Sequence, residues 1–302
     1  RLPLGRPGPW QGPRWGAPNL PRVMAASDPV MSPAEMQRAV DDHPFWYHTI
    51  DVAPGVTTKG WFDLRPVVDL MPWPDVRGKR CLDIGTFDGY LAFELERRGA
   101  SEVVAVDVED HLLWDWPPDY RSADLARDPG FSGPPKGAGF RLVKELTGSK
   151  VDWRPINIYD LDPDEIGTFD VVVLGSLLLH LRDPIRALEA VRRVTDGVLL
   201  SSDQIEASLT LFGRDKPLFT LNGSGGDCQW FNFNAAGHER LLYAAGFGIE
   251  QRSRPYIVKY NHHPKHKPTM RNRMRQLAVR RLTGSWDHQG VLHRALLARP
   301  RV

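Results

Sequence analysis

From Arg80 onward, short apolar runs alternate with segments of helical periodicity, and this alternation restricts the possible folds more than any other feature of the chain. The apolar runs are RCLDI, EVVAVD, VDWRPI, FDVVVLG and GVLLSSD, and amphipathic segments such as GYLAFELERRG and DPIRALEAVRRV lie between them. Strands that are apolar on both faces are typical of parallel sheets covered by helices on both sides. The pattern therefore predicts an α/β fold with a doubly wound, mostly parallel sheet.

Composition excludes several classes of protein. Lys and Arg number 39 against 37 for Asp and Glu, so no global basic field argues for nucleic acid. The two cysteines, Cys81 and Cys228, are too few for a disulfide scaffold or a Cys-based zinc site. No stretch reaches the roughly 18 apolar residues of a membrane span. We expect a soluble, cytoplasmic protein.

Four segments follow one another along the chain. Residues 1–23 are rich in Pro, Gly and Arg and are predicted to be disordered. Residues 24–78 form a helical cap, in which Ser32, Pro33 and Glu35 open a first helix and GWFDLRPVVDLM a second. Residues 79–260 form the core, interrupted by inserted loops at 116–139 and 207–230. Residues 261–302 hold a basic helix and a last strand.

The first core strand ends in a turn with two glycines, Gly85-Thr86-Phe87-Asp88-Gly89. In open parallel sheets, ligands bind outside the carboxyl ends of the strands, where the first strand-to-helix turn supplies glycines. Gly85 allows the sharp bend, and Gly89 lets the start of the helix approach a ligand. Asp107 ends the next strand, where its carboxylate can accept both hydroxyls of a ribose. The sequence therefore predicts an adenosine-containing cofactor.

The composition of the turn distinguishes between cofactors. A dinucleotide site requires G-x-G-x-x-G, but Phe87 and Ala92 stand at the second and third glycine positions. Asp83 would repel phosphates and attract an ammonium group. S-adenosylmethionine fits, with its ribose at Asp107 and its ammonium toward Asp83.

LDIGTFDGY followed by VVAVD resembles motif I and the next acidic strand end of class I S-adenosylmethionine-dependent methyltransferases. FDVVVLGSLLLHLRDPIRALEAVRRV is similar to the fourth strand and following helix of that family. The resemblance implies a Rossmann-like methyltransferase fold with seven strands in the order 3-2-1-4-5-7-6. HRALLARP would supply the antiparallel seventh strand.

Three stretches, GWFDLRPVV, the LLLHLRDP block and HRALLARP, are also similar to the bacterial tRNA wobble-uridine carboxymethyltransferase family. That likeness places Ile158 and Tyr159 beside the adenine, and Trp61, Arg65 and Arg294 near donor or substrate. Leu179 replaces the Tyr with which that family reads a carboxylated donor, so ordinary S-adenosylmethionine is favoured. The predicted cofactor-binding residues are Asp83, Gly85, Thr86, Phe87, Gly89, Asp107, Val108, Asn157, Ile158, Tyr159 and Gly175.

Candidates for the transfer step follow the later strands. His180 lies after the fourth strand and could be a general base or only support the loop. Asp203, at the end of GVLLSSD, could contact substrate or cap a loop. Trp230 and Asn232 could stack on and hydrogen-bond a flat acceptor, or belong to the core. The sequence shows no cluster of carboxylates of the kind that binds a metal ion, so no metal is expected. His238, on the helix that follows, is expected at the surface.

Residues 259–281 are rich in Lys and Arg and contain no acid, with Met270, Met274 and Leu277 at helical spacing. This pattern predicts an amphipathic helix whose cationic face could bind RNA phosphates or another anionic partner, or could simply be solvated. We expect a methyltransferase for a small-molecule acceptor with an oxygen or nitrogen nucleophile. A tRNA methyltransferase and a non-catalytic S-adenosylmethionine-binding protein are the alternatives.

Overall fold

A computed structural model describes residues 31–118, 136–213, 215–222, 228–261, 270–285 and 289–301, with the side chains of residues 270–273 excluded. Residues from Ser32 onward form one compact unit. Three predicted features lie outside the described residues, in whole or in large part: the extension 1–23, the loop 116–139 and the first part of the basic segment. None of the described helices is long and apolar enough to cross a membrane.

The N-terminal segment begins with helix α1 (Pro33–Asp42). Its capping box forms as predicted, because the Ser32 hydroxyl accepts from the Glu35 amide and the Glu35 carboxylate accepts from the Ser32 amide at 2.8 Å. Three short strands follow, β1 (Asp51–Ala53), β2 (Val56–Thr57) and β3 (Phe62–Asp63). The predicted second helix was wrong, because the Phe62 backbone pairs with Tyr47 and Thr49 and only a single 3-10 turn, Val68–Leu70, follows.

The alternation predicted from Arg80 onward is confirmed. Strands β4 (Arg80–Ile84), β5 (Glu102–Asp107), β6 (Asp152–Pro155), β7 (Phe169–Gly175) and β8 (Thr195–Gln204) are separated by helices α2 (Tyr90–Arg97), α3 (Ala138–Thr147), α4 (Pro163–Ile166) and α5 (Pro184–Arg193). The five strands pair in parallel, in the order β6-β5-β4-β7-β8. Their carboxyl ends therefore meet at one edge, which we call the carboxyl edge.

The C-terminal part adds helices α6 (Ala207–Gly213), α7 (Ala235–Ala244) and α8 (Met270–Thr283) and strands β9 (Phe219–Leu221), β10 (Phe231–Phe233), β11 (Phe247–Arg252), β12 (Tyr256–Tyr260) and β13 (Gly290–Pro300). Strand β13 pairs antiparallel with β8, as HRALLARP predicts. Strands β11 and β12 both pair with β13, and β3 pairs with β12, so the sheet has nine strands where seven were expected.

Each face of the sheet carries its own apolar core. Leu82, Val104 and Leu174 point into the core beneath α5 and α7, while Cys81, Ala105 and Val173 point into the core beneath α2, α3 and the N-terminal segment. Side chains alternate between the two faces along every strand. Because each fully buried Leu or Val contributes about 1.5–3 kcal/mol, the two cores hold the carboxyl edge rigidly.

The exposed face of α8 differs from the prediction. Met274 and Leu277 are 56% and 58% exposed, whereas Ala278 and Val279 are buried in the core beneath α7. The buried face of α8 is therefore the one that carries Ala278 and Val279, and not the one that carries Met274 and Leu277. Neither Met274 nor Leu277 anchors the helix.

Candidate functional site

The turn at residues 85–89 leaves the sheet at the carboxyl end of β4. Gly85, Phe87 and Gly89 all have positive φ, of 72°, 50° and 96°. The Gly85 amide donates to the Val106 carbonyl at 2.9 Å, which ties the turn to β5. A Cβ on Gly89 would lie 2.4 Å from Phe93 and 2.6 Å from Phe140, so the absent side chain makes room for packed aromatics. The expectation that Gly89 lets the start of the helix approach a ligand stays a prediction.

Asp107, at the end of β5, closes the other side of this turn. One carboxylate oxygen accepts from the Phe87 amide at 2.9 Å, and the other accepts from the Val108 amide at 2.8 Å and from the Lys136 ammonium. Lys136 is buried, and its ammonium lies 4.7 Å from the centre of the Trp114 ring. Burial lowers the pKa of Lys136. The predicted ribose carboxylate thus faces the turn, but an internal cation occupies one of its acceptor positions.

Asp83 lies on β4 just before the turn and is 2% exposed. Its Oδ2 atom is buried and has no hydrogen-bond partner among the residues that the structure describes. Burial raises the pKa of Asp83 to about 6, against the opposing effect of the Thr86 hydroxyl and of His48. When the Asp83 carboxyl group is ionised, its unpartnered oxygen can accept a hydrogen bond from a cationic ligand.

The N-terminal segment covers the turn from the other side. Asp88 accepts from the Tyr47 and His48 amides at 2.8 Å each and also pairs with the His48 imidazole. The Tyr47 ring lies 4.8 Å from that of Phe87. Burial raises the pKa of Tyr47, and Cys228 and Tyr260 raise it further. Tyr47 therefore stands between the turn and the C-terminal half of the carboxyl edge.

The residues predicted beside the adenine lie near a shared acidic side chain. Asn157 caps the 3-10 turn Ile158–Asp160, in which Ile158 is buried. The Tyr159 hydroxyl donates to the Asp115 carboxylate at 2.6 Å, and the Asp115 carbonyl accepts from the Trp230 indole, also at 2.6 Å. Asp115 thus joins the segment after Val108 to both Tyr159 and Trp230.

The carboxyl end of β7 lies beside the turn. Gly175 packs against Ser202, and a Cβ on Gly85 would lie 3.0 Å from the Leu177 side chain. Asp203 is fully buried and accepts from the Leu177, Leu178 and Gln204 amides. Burial raises the pKa of Asp203 to about 7. Direct substrate contact by Asp203 was therefore wrong, and the loop-capping alternative agrees with these bonds.

His180 donates from Nδ1 to the Cys228 carbonyl at 2.7 Å. The bond connects the loop after β7 with residue 228, and Trp230 adds a second connection through its amide, which donates to the Leu179 carbonyl at 2.7 Å. This arrangement favours the loop-supporting interpretation of His180. Its catalytic role stays a prediction.

Comparison with known proteins identifies the family. The profile of the methyltransferase domain family matches residues 63–252, which is more than half of the chain. The chain belongs to the methyltransferase domain family. This membership confirms the class I methyltransferase resemblance, and the narrower likeness to tRNA wobble-uridine enzymes stays a prediction.

Two curated relatives of this methyltransferase domain are O-methyltransferases by name. The ubiquinone biosynthesis O-methyltransferase of Pseudomonas aeruginosa is 29% identical over 146 residues, which cover 44% of this chain and 52% of the relative. The magnesium-protoporphyrin O-methyltransferase of Rhodobacter capsulatus is 34% identical over 110 residues, 36% of this chain and 37% of the relative. The chain spans at most about half the length of these relatives.

Among solved structures, the N-terminal domain of EvdMO1 with SAH bound aligns over 91% of this chain and 100% of that domain. The TM-score is 0.51 and the sequence identity is 15%. At this identity the likeness shows the fold alone, and the predicted Rossmann-like methyltransferase fold is confirmed.

The residues predicted to contact substrate are dispersed over this methyltransferase domain. Trp61 is 43% exposed beside Phe45, and the Phe45 ring lies 6.3 Å from that of Phe87 in the turn. Arg65 is held in a surface cluster by Asp63 and Asp51, at 2.8 and 2.6 Å. Asn232 lies in the small β9–β10 hairpin. The structure does not bring these three side chains together at the turn.

Arg294 lies on the other face of the sheet. Its guanidinium donates to the Glu239 carboxylate of α7 at 3.0 Å and lines a separate cavity that Arg252 and Tyr243 also line. Consecutive residues of a strand point to opposite faces, so Arg294 points away from the side on which its neighbour His293 lies. The structure places Arg294 at this separate cavity, and its predicted contact with donor or substrate stays a prediction.

Sequence reasoning missed Tyr47, Asp88 and Lys136 in this methyltransferase domain. Asp88 carried a signal, since an acidic residue inside the turn is available to accept backbone bonds from a covering segment. Lys136 lies in a Pro- and Gly-rich stretch without periodicity, and Tyr47 precedes the core by some distance in sequence. Neither position could be assigned to the site from a pattern.

Within the described residues, no group of three or more His, Cys, Asp or Glu side chains is arranged to hold a metal ion.

Proposed function

We propose that this chain is an S-adenosylmethionine-dependent methyltransferase that acts on a small-molecule acceptor. The observation that carries the proposal is the pair of carboxylates at the ends of adjacent strands, Asp83 and Asp107, with the glycine turn between them. Strands β4 and β5 are parallel neighbours, so the two acids both lie near the carboxyl ends of adjacent strands.

The residues fit the cofactor that the family implies. The buried Asp83 Oδ2 atom has no hydrogen-bond donor among the described residues. The ammonium group of the cofactor could donate to it. Asp107 offers acceptor positions to a ribose diol, provided that Lys136 moves or shares the carboxylate. Burying an ionised carboxylate without a partner is costly, so a cationic ligand would stabilise Asp83 in its charged form.

S-adenosylmethionine supplies an electrophilic methyl group on a sulfonium, and the protein would supply alignment and exclusion of water. Asp107 would hold the ribose of the donor, and Asp83 would hold its ammonium group. The ring centres of Tyr47 and Trp114 lie 4.8 and 6.5 Å from the ring centre of Phe87. The three rings form an aromatic wall on the turn. Such a wall excludes water from the transferred group.

An oxygen nucleophile is the favoured acceptor. The names of both curated relatives specify O-methyltransfer, one in ubiquinone biosynthesis and the other with magnesium-protoporphyrin. Hydroxyl donors and acceptors also line the carboxyl edge of β7 and β8, where Ser176 is half-buried beside Gly175. A tRNA acceptor remains the alternative, and the names of the two relatives do not specify it.

Isothermal titration with S-adenosylhomocysteine tests donor binding. We expect saturable binding to the wild-type chain and a strong loss in Asp107→Ala. Asp170→Ala is the matched control, because Asp170 is an exposed carboxylate on β7 at the opposite edge of the sheet. Equal affinity in all three proteins would contradict the site.

Transfer from methyl-labelled S-adenosylmethionine to a panel of catechol, 3,4-dihydroxybenzoate, methyl glucoside and bulk tRNA tests the acceptor class. We expect label in a hydroxylated small molecule. Label in tRNA alone, with binding that falls steeply as salt rises, would favour the RNA alternative. Donor binding without transfer to any acceptor would favour the non-catalytic alternative.

A further inference from the structure

Two side chains at the carboxyl edge form a hydrogen-bonded pair that the donor site does not use. Ser176 directly follows β7, and its hydroxyl oxygen lies 2.7 Å from Nε2 of His293 on β13. His293 is buried, whereas Ser176 is partly exposed. The pair therefore joins a reachable hydroxyl to an imidazole that solvent does not reach.

The backbone fixes the proton on the imidazole. His293 Nδ1 lies 3.1 Å from the Val291 carbonyl oxygen, which can only accept a hydrogen bond. We therefore assign the hydrogen of the neutral ring to Nδ1. Nε2 is then an acceptor, and the Ser176 hydroxyl donates to it. This is the polarity required for a serine that passes its proton to a histidine.

Neighbouring side chains hold the imidazole in place. The Tyr256 ring stacks on His293 at 6.1 Å with an angle of 21° between the rings, and the Tyr256 and Ser202 hydroxyls lie 2.7 Å apart. Burial lowers the pKa of His293 to about 4, so near pH 7 the ring is neutral with an unprotonated Nε2, and it is a weaker base than an ordinary histidine. A preorganised pair of this kind loses little entropy when it acts.

Ser176 is also well placed with respect to the donor site. The next residue, Leu177, is the side chain that a Cβ on Gly85 would contact, at 3.0 Å. Gly175 packs on Ser202 and contributes no side chain between Ser176 and the turn. The Ser176 backbone therefore lies on the part of the carboxyl edge that is next to the turn, and its hydroxyl reaches across the end of β8 to His293 on β13.

We propose that Ser176 and His293 form a proton relay for the acceptor hydroxyl, with Ser176 in contact with the acceptor and His293 behind it. The inference rests on the proposed function. The acceptor oxygen forms a bond to the methyl carbon, and the carbon–sulfur bond breaks with its electron pair left on sulfur. The acceptor proton passes to the Ser176 oxygen as the Ser176 proton passes to His293 Nε2. The positive charge lost at sulfur thus reappears on the imidazole.

A second serine–histidine pair provides a matched control. The Ser201 hydroxyl lies 2.9 Å from Nε2 of His238, and both residues are fully buried on the opposite face of the sheet. This pair joins the same two kinds of side chain without access to the carboxyl edge, although His238 Nδ1 has no hydrogen-bond partner among the described residues. The substitutions Ser176→Ala and Ser201→Ala therefore remove the same type of bond, only one of which belongs to the relay.

The tautomer is tested by nitrogen-15 NMR of the full chain labelled in histidine, with the His293 signal identified by its loss in His293→Gln. We expect Nδ1 to carry the proton and Nε2 to be unprotonated, and the Nε2 signal to shift in Ser176→Ala. A protonated Nε2 would overturn the relay, since it could not accept the serine proton. An Nε2 signal unchanged by Ser176→Ala would overturn the contact.

Kinetics with the hydroxylated panel member that turns over fastest complete the test. We expect Ser176→Ala and His293→Gln each to lower kcat by about 100-fold, the lower end for general base catalysis, with an unchanged KM for donor. Ser176→Thr should recover most of the rate, and Ser201→Ala should stay within about twofold of wild type, because its pair lies outside the relay. The double variant should be no slower than either single variant, because the two residues act as a unit.

The possible failures are separable. Wild-type kcat in Ser176→Ala, with donor binding and transfer intact, would overturn the relay and leave the proposed function standing. Absence of S-adenosylhomocysteine binding to the wild-type chain would overturn the proposed function and the relay with it. An equal loss of rate in Ser176→Ala and Ser201→Ala would mark the effect as structural and would also overturn the relay.

Discussion

The two halves of the carboxyl edge use their aspartates differently. Asp203, at the end of β8, is fully buried and accepts from three backbone amides. Asp83 and Asp107, on β4 and β5, instead keep an unsatisfied oxygen and an oxygen shared with a lysine. In sequence the three residues look equivalent, since each lies at or near the end of an apolar strand.

The difference lies in the partners of each carboxylate. Backbone amides are fixed, so Asp203 serves the loop after β7 and has no reason to bind a ligand. Asp83 has an oxygen without a partner, and Asp107 has one whose lysine partner can be exchanged. Both can therefore accept hydrogen bonds from a ligand. The comparison predicts the larger loss of stability at Asp203, whereas a loss of ligand affinity is expected at Asp83 and at Asp107, although Asp107 also accepts from two backbone amides.

The largest effect is expected at Asp203. Asp203→Ala leaves three amides without their acceptor, and each buried unsatisfied donor costs about 1–3 kcal/mol. We expect the free energy of unfolding to fall by about 3–5 kcal/mol, measured by urea denaturation. Asp170→Ala, at an exposed carboxylate, should change it by less than about 1 kcal/mol. Similar values for the two variants would remove the distinction between the halves.

The next effect is expected at Asp107. Two ribose hydroxyls bound to a carboxylate contribute about 1.5–3 kcal/mol each, so their loss in Asp107→Ala should weaken S-adenosylhomocysteine binding by more than about 100-fold. Asp107→Ala also leaves the Phe87 and Val108 amides without their acceptor, so urea denaturation should show a loss of stability, while circular dichroism at the temperature of the binding assay should show a folded chain. Because Lys136 loses its counter-charge in this variant, the double variant Asp107→Ala with Lys136→Met should bind equally weakly. Recovered affinity in the double variant would indicate that the buried ammonium alone causes the loss.

A pH dependence is expected from Asp83, whose pKa is raised from 3.8 to about 6 by burial. A cationic ligand group needs the ionised carboxylate, so donor affinity should be constant above about pH 7 and fall about tenfold for each unit below pH 6. Titration calorimetry at pH 5 and pH 7.5 measures the difference. Asp83→Asn should bind weakly at both values, and a wild-type affinity independent of pH would argue against an ammonium at this oxygen.

The opposite sign applies to folding. Because the pKa of Asp83 is higher in the folded chain than in the unfolded chain, its contribution to stability is largest below pH 3.8 and is lost as pH rises through about 6. The same group thus favours folding at acidic pH and donor binding at neutral pH.

The smallest effect is expected at Lys136. If the ammonium competes with the ribose for Asp107, Lys136→Met should tighten S-adenosylhomocysteine binding by about threefold, since a desolvated ion pair contributes little net energy. Lys144→Met is the control, because Lys144 on α3 donates to the Val151 carbonyl instead of to an acid. A tenfold loss in Lys136→Met alone would show that the lysine binds the ligand directly.

Strand alternation, the glycine turn and the acids at strand ends depend on residues close in sequence, and these features were predictable. The relay was not, because Ser176 and His293 are 117 residues apart and meet only through the pairing of β13 beside β8. His238 was expected at the surface but is fully buried against Ser201, since α7 is covered by the sheet on that side. Pairing register between distant strands leaves no local pattern in a sequence.

The central claim is that the turn at residues 85–89 holds an adenosyl donor between Asp83 and Asp107. A crystal structure with S-adenosylhomocysteine tests it most directly. We predict both ribose hydroxyls at the Asp107 carboxylate, the amino group at Asp83 Oδ2, and Lys136 moved from its place beside Asp107. A ligand bound elsewhere, or a saturated crystal in which Lys136 still pairs with Asp107 and the ribose lies apart from both acids, would contradict the account.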